Sequence, residues 1–255
     1  MSSAAITRLI VGLSLGLALL IVLIAVVLTP TGEPIRDADL TPSVTAAPRW
    51  AEPAPLPPSA ASPTRVGVSG LVDAAWVAAV AADSGIPERV LAAYAGAAIA
   101  KHAERPDCVL GWNTLAGIGW VESRHGSHGG ASVADDGTVS PPIIGVALDG
   151  VSTALIADTD RGVIDGDAEF DRAVGPLQFI PGSWANWYID ASGDGVADPH
   201  NIDDAALAAA NYLCRAVPTL GDEASWRAGI ASYNAEGVYL DAVATAAARY
   251  AAAAD

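Results

Sequence analysis

Basic side chains are scarce in this chain: 13 Lys and Arg stand against 29 Asp and Glu, a formal charge of −16. A surface of that sign repels phosphate backbones and anionic headgroups, which removes nucleic acid from the expected partners. Cysteine is nearly missing too, with Cys108 and Cys214 the two present. His125 and His128 stand three residues apart, find no matching Cys, His or acidic partner for a metal, and read as loop histidines. No stretch alternates apolar and polar residues over the length of a strand, and no internal repeat is visible. A β-rich fold is therefore not expected.

What is present is apolar. The chain has 255 residues, 52% of them hydrophobic, enough to bury a real core in one domain or at most two. The run IVGLSLGLALLIVLIAVVL, residues 10–28, carries no charge and matches the roughly 20 residues a helix needs to cross a bilayer. Arg8 before it and Glu33 after it favour a cytoplasmic tail at 1–8, an anchor over 9–28 and an exported remainder. A cleaved signal would show a shorter apolar region and a small-x-small site, whereas this run ends in LTPTGEP. Residues 29–68 are dense in Pro, Ala, Ser and Thr without hydrophobic period, and are expected to form a disordered tether. Such a tether reaches into a cell-envelope layer.

From residue 69 to the end the pattern turns helical. Ser69 offers an N-cap, Ser84 and Gly85 a stop, and Pro87 a second start that should end before Pro106. Leu115, Ile118 and Val121 recur at helical spacing over WNTLAGIGWVES, which Gly126 can close. Residues 126–172 break the rhythm with Gly, Asp and Pro, and helical patterning resumes near Ser183 and continues almost to the C-terminus. The expected fold class is mainly α, one domain over 69–255.

One carboxylate stands out. Glu122 sits among Leu115, Ile118 and Trp120, where burial would raise its pKa and let it donate a proton near neutral pH. Alone, a Glu at a helix end reads more readily as a solvated surface residue. The elements downstream change that. Glu122-Ser123, then Gly175 to Gln178 within AVGPLQF, then Tyr233-Asn234 come in an order that resembles the lytic transglycosylases of the lysozyme-like superfamily. Ser232 replaces the usual Ala and Pro176 the usual Leu or Ile. The stretch DASGDGVADPHNIDDAALAAANYL, residues 190–213, is similar to that of membrane-bound lytic transglycosylase B and its relatives.

The resemblance implies a lysozyme-like domain that cuts peptidoglycan glycan strands with Glu122 first as acid and then as base, releasing 1,6-anhydro-muramic ends. It assigns Ser123, Gly175, Gln178, Phe179, Tyr233 and Asn234 to the saccharide cleft. A hydrolytic muramidase would need a second carboxylate. Asp165, Asp167, Glu169 and Asp171 are the available ones, although such a run is usually solvated loop. A wall-binding module without turnover is the alternative from another class. For flat stacking on sugar rings the candidates are Trp120, Trp184, Trp187 and Tyr188, which at helical spacing read more readily as core.

Asp190, Ser192 and Asp194 occupy positions one, three and five of an EF-hand-like loop, with Gly195 at the turn and the Val196 carbonyl at seven. Asn201 stands where Glu would close such a loop, and the resemblance puts Asp204 in that role, so a structural Ca²⁺ is expected while the chemistry itself requires no cofactor. In an exported domain the even cysteine count favours a Cys108–Cys214 disulfide. The expected partners are peptidoglycan and, through the N-terminal helix, the cytoplasmic membrane, with the catalytic part facing the wall.

Overall fold

The structure, a computed structural model, describes residues 48–254. The expected anchor over 9–28 and the first part of the tether lie outside these residues. No helix among the described residues is long and apolar enough to cross a membrane.

Seven helices make the described fold: α1 (Ala74–Ser84), α2 (Glu88–Glu104), α3 (Trp112–Ser123), α4 (Pro181–Trp187), α5 (Ile202–Ala216), α6 (Glu223–Tyr233) and α7 (Gly237–Ala252). Their boundaries reflect local chemistry. Asp73 accepts the N–H of Trp76 to open α1, and Gly85 closes it at φ 74°. Asp222 accepts the N–H of Ser225 to open α6. The first cap is thus Asp73 rather than Ser69, which lies in a 3₁₀ turn (Val68–Gly70) and donates its hydroxyl to Asp203. Ser69 has the right chemistry for a cap, but its side chain is spent on a distant carboxylate.

The core is built around α3, which is buried from Trp112 through Gly119. A helix apolar on nearly every face has to be surrounded, and α2 and α7 pack against it. Glycine makes the approach possible. A Cβ on Gly117 would stand 2.9 Å from the Val243 carbonyl of α7, and one on Gly119 1.9 Å from the Tyr94 hydroxyl of α2. On the far side of α2, the alanine-rich buried face of α5 packs closely. Cys108 and Cys214 are joined in the expected disulfide, tying the turn after α2 to the end of α5 across 106 residues.

The tether is shorter than composition suggests. Ala51 and Ala54 are buried, and Asn113 inside α3 accepts the Ala54 N–H at 2.9 Å while donating to the Glu52 carbonyl at 2.9 Å. Further on, Ser59 bridges to Val72 and the Pro58 carbonyl accepts the Asp73 N–H. Residues 51–68 therefore belong to the fold, which does not start at 69. An Ala-Pro strap has no hydrophobic period to read, yet a buried amide in need of partners holds it in place.

Two short antiparallel hairpins break the helical pattern: β1 (Ser132–Val133) with β2 (Val139–Ser140), and β3 (Ile144–Ala147) with β4 (Arg172–Val174). Strands of two to four residues are too short to show an alternation, so they left no trace in the sequence pattern.

The strap yields a direct test. A chain starting at residue 65 leaves Asn113 without its strap partners, a cost of about 1–3 kcal/mol for buried polar groups. It should melt about 2–10 °C below a chain starting at residue 48. Equal melting temperatures by circular dichroism would show that the strap contributes nothing.

Candidate active site

Glu122 occupies the last turn of α3, and the chain beyond it is tightly constrained. Arg124 (φ 53°), His125 (φ 62°) and Gly126 (φ 77°) turn the chain back through three successive left-handed residues. The His125 N–H reaches the Gly119 carbonyl at 2.9 Å. Its ring is only 4% exposed and sits between the Tyr94 hydroxyl at Nδ1 (3.3 Å) and the Tyr250 hydroxyl at Nε2 (2.7 Å). Burial, with the Arg249 and Arg124 guanidinium groups nearby, pushes its pKa down to about 3. His125 is thus a neutral buried brace behind the helix end, where the sequence suggested a loop histidine. His128 remains exposed.

The Glu122 carboxyl accepts a 2.6 Å hydrogen bond from the Tyr239 hydroxyl in the first turn of α7. Burial raises the Glu122 pKa to about 7, and the Tyr239 bond pulls the other way without cancelling it. Burial, joined by the Glu122 charge, lifts Tyr239 and Tyr233 above their ordinary values, so both phenols stay protonated. Tyr239 is the residue that motif reading missed. The available signal was Tyr at helical spacing after YNAEG, which looks like any core aromatic.

Ser123 is buried, donates its hydroxyl to the Pro176 carbonyl at 2.6 Å, and accepts the Gly126 N–H at 2.8 Å. That brings the Gly175–Gln178 turn against the end of α3. Gly175 has φ 76°, and a Cβ there would stand 1.9 Å from the Pro199 carbonyl, so no other residue fits. Gln178, itself at φ 51°, donates its amide to the Gly175 carbonyl at 2.9 Å. Its other amide atom faces β3, where a Cβ on Gly145 would lie 3.2 Å from Oε1. Tyr233 donates to the Leu177 carbonyl at 2.7 Å and packs edge-on against Phe179 and Tyr212. Gln178, Phe179, Tyr212 and Tyr233 together line a small hollow of about 50 Å³. Asn234 is exposed, and its side chain accepts the Glu236 N–H instead of reaching Glu122.

Of the aromatic candidates, Trp184 is core. Trp120 lies under the Arg124 and Arg249 guanidinium groups, Trp187 packs edge-on against Tyr212, and Tyr188 is 64% exposed.

The acidic run before β4 is not a solvated loop. Asp171 is fully buried and accepts from the Thr159 N–H and hydroxyl, and Asp165 accepts the N–H groups of Asp167 and Arg172. Asp167 pairs with Arg172 at 2.8 Å, and Glu169 is exposed. Asp165, Asp167 and Asp171 are spent on folding a loop that has little ladder of its own. None of them is hydrogen-bonded to Glu122 or to Tyr239.

In the 190–204 loop, Asp190 accepts from the Ser192 hydroxyl and the N–H groups of Gly193, Asp194 and Gly195. Asp194 accepts the Val196 N–H. Asp204 accepts the N–H groups of Ala191, Ser192 and Asp198, and burial still holds its carboxyl above the usual range. The set is all hard oxygen, the chemistry Ca²⁺ takes: Asp190 Oδ1 and Asp204 Oδ1 are already filled by three and two donors, while Asp190 Oδ2, Asp204 Oδ2 and the Asp194 carboxylate keep a lone pair for an ion. The carboxylates that converge most closely among the described residues are others, Asp158, Asp160 and Asp171, with one oxygen of each within 4.8 Å of the rest.

Residues 170–229 match the family described as a transglycosylase SLT domain. The matched stretch carries Gly175, Gln178, Phe179 and the whole 190–204 loop, and it supports an enzyme of the peptidoglycan transglycosylase type. Glu122, Tyr233 and Tyr239 lie outside it; Ser123, beside Glu122, and Tyr233 join the matched segment at the Pro176 and Leu177 carbonyls, and Tyr239 bonds to Glu122. No curated protein and no solved structure matches the chain.

The raised Glu122 pKa has a consequence for stability. The folded state favours the neutral acid, so the contribution is complete below the ordinary pKa of 4.5 and is lost as pH rises through about 7. Glu122→Gln should therefore melt higher than the parent at pH 8 and level with it at pH 4. An equal difference at both pH values would show that the carboxyl is not perturbed by folding.

Proposed function

We propose that this chain is a membrane-anchored lytic murein transglycosylase, related to the membrane-bound lytic transglycosylase B group, that cleaves the β-1,4 bond between N-acetylmuramic acid and N-acetylglucosamine. The observation that carries the reading is the Glu122 carboxyl at the end of a buried helix, hydrogen-bonded by Tyr239 and set by its neighbour Ser123 against the Gly175–Gln178 turn, where burial raises its pKa to about 7. An acid with a pKa of about 7 can give its proton to the leaving glycosidic oxygen near neutral pH. The bond from the anomeric carbon to that oxygen breaks, and positive charge develops on the sugar. The Glu122 carboxylate left behind then takes the proton of the muramic 6-hydroxyl, whose oxygen attacks the anomeric carbon. A 1,6-anhydro ring closes, no water is consumed, and Glu122 ends protonated as it began.

The Tyr239 hydroxyl supports both halves of the cycle, because it favours the carboxylate after the first transfer without abolishing the acid before it. Gln178, Phe179 and Tyr233 line a small hollow and are assigned to the glycan. Asn234 is left to the rim. One carboxylate serves this route; Asp165, Asp167 and Asp171 are engaged within their own loop, and Glu169 is exposed. The anchor at 9–28 would keep the domain outside the cytoplasm, facing the wall.

The deciding test is digestion of purified peptidoglycan by the full chain, with products resolved by mass. Anhydro products, one water lighter than reducing muropeptides, are expected. Glu122→Gln should lower the rate by roughly 10²–10⁴-fold, and the parent rate should fall as pH rises above about 7. Reducing products would make the enzyme a hydrolytic muramidase, and wall binding without products from either protein would make it a scaffold.

A structural Ca²⁺ on Asp190, Ser192, Asp194, the Val196 carbonyl and Asp204 belongs to the same proposal, steadying the start of α5. Calcium at about 100 times its dissociation constant would add about 2.7 kcal/mol, a rise of about 5–10 °C in melting temperature that a chelator reverses. An unchanged melting curve would mean that the N–H donors alone hold the loop.

A further inference from the structure

A cavity of about 350 Å³ opens where the end of α2, the end of α4 and the last turns of α5 meet. Three of the 13 basic residues of this acidic chain line it: Lys101, Arg105 and Arg215, against the single carboxylate Glu104. The lining charge is therefore positive in a protein of charge −16. The cations are differently fixed. Lys101 is only 4% exposed and gives one of its three donors to Glu104, at 2.6 Å. The Arg105 guanidinium donates to the carbonyls of Cys214 and Pro218 at the end of α5, with no carboxylate against it. Arg215 is exposed, and among the described residues neither arginine has a carboxylate within salt-bridge distance.

The rest of the lining offers more than charge. Asn186 and Asn211 supply amides, and Tyr188 an exposed ring. Aromatic packing links the cavity to the hollow lined by Tyr233: Trp187 in its wall packs on Tyr212 at 5.6 Å, and Tyr212 packs on Tyr233 at 5.4 Å. The hollow lined by Gln178, Phe179, Tyr212 and Tyr233 contains no cation, as suits neutral sugar rings. The cations stand one aromatic layer away.

We propose that this cavity is a subsite for the carboxylate-bearing peptide that branches from the glycan, so that the enzyme reads peptide-substituted strands in preference to bare ones. The inference rests on the proposed peptidoglycan function. Guanidinium and ammonium groups bind the free carboxylates, the two Asn amides pair with peptide groups, and Tyr188 covers the chain. A peptide lodged here would fix the sliding register of the glycan over Glu122.

The test is binding, which needs no turnover. The full chain carrying Glu122→Gln is titrated by calorimetry with the free stem tetrapeptide, with the same peptide amidated at its carboxylates, and with a glycerol phosphate oligomer. The tetrapeptide is expected to bind, and either amidation or the exposed substitution Arg215→Glu should weaken it about tenfold. No tetrapeptide binding, binding indifferent to Arg215→Glu, or preferential binding of the phosphate oligomer would overturn the assignment. Lytic products play no part in this readout, so a chain that bound the peptide and never cleaved glycan would refute the catalytic proposal and leave the subsite standing.

Discussion

Burial of α3 on nearly all sides is the constraint on which the rest of the molecule depends. Because Trp112 to Gly119 are enclosed, the helix must be approached closely, and Gly117 and Gly119 are where α7 and α2 come in. Because Asn113 is enclosed as well, its amide draws the strap at 52–54 onto the core. The enclosed helix then has to end, and it ends at a carboxylic acid whose charge the surroundings disfavour. A raised pKa at Glu122 is thus a product of the same packing that forms the core.

The turn at the end of α3 holds that acid still. Three consecutive left-handed residues are costly, and they are held by His125 between two tyrosines and by Ser123 bonded to Pro176. The Ser123 contact carries the constraint into the Gly175–Gln178 turn, and Tyr233 returns it through the Leu177 carbonyl. The acid, its tyrosine partner and the turn beside it come from α3, α7 and the β4–α4 connection, joined by hydrogen bonds in a domain with little regular sheet.

The acidity of the chain has a structural explanation that composition conceals. Asp158, Asp160, Asp165, Asp167 and Asp171 each accept backbone N–H groups in the 126–172 excursion, and Asp190 and Asp204 do the same around the next loop. Carboxylates do here what strand ladders do elsewhere, satisfying buried or half-buried amides. Among the described residues Arg49, Arg89, Lys101, Arg172 and Arg227 pair with carboxylates, and the other basic side chains form no salt bridge.

The sequence by itself determined the helical character of the domain, the helix ending at Glu122 and the order of the chemical elements, because these depend on residues close together along the chain. Periodicity marked α3, proline and glycine marked its neighbours, and ES, GPLQ and YN marked the candidate site. The even cysteine count favoured a disulfide, and the tertiary structure brought the two cysteines together. Tertiary structure alone decided which groups meet. It placed Tyr239 on Glu122, drew Asn234 away, buried His125, and folded residues 51–68 onto the core, although nothing in their own pattern asked for it. Hydrogen bonds between residues a hundred positions apart leave no local period, and desolvation of a carboxyl is a property of everything around it rather than of the stretch that carries it.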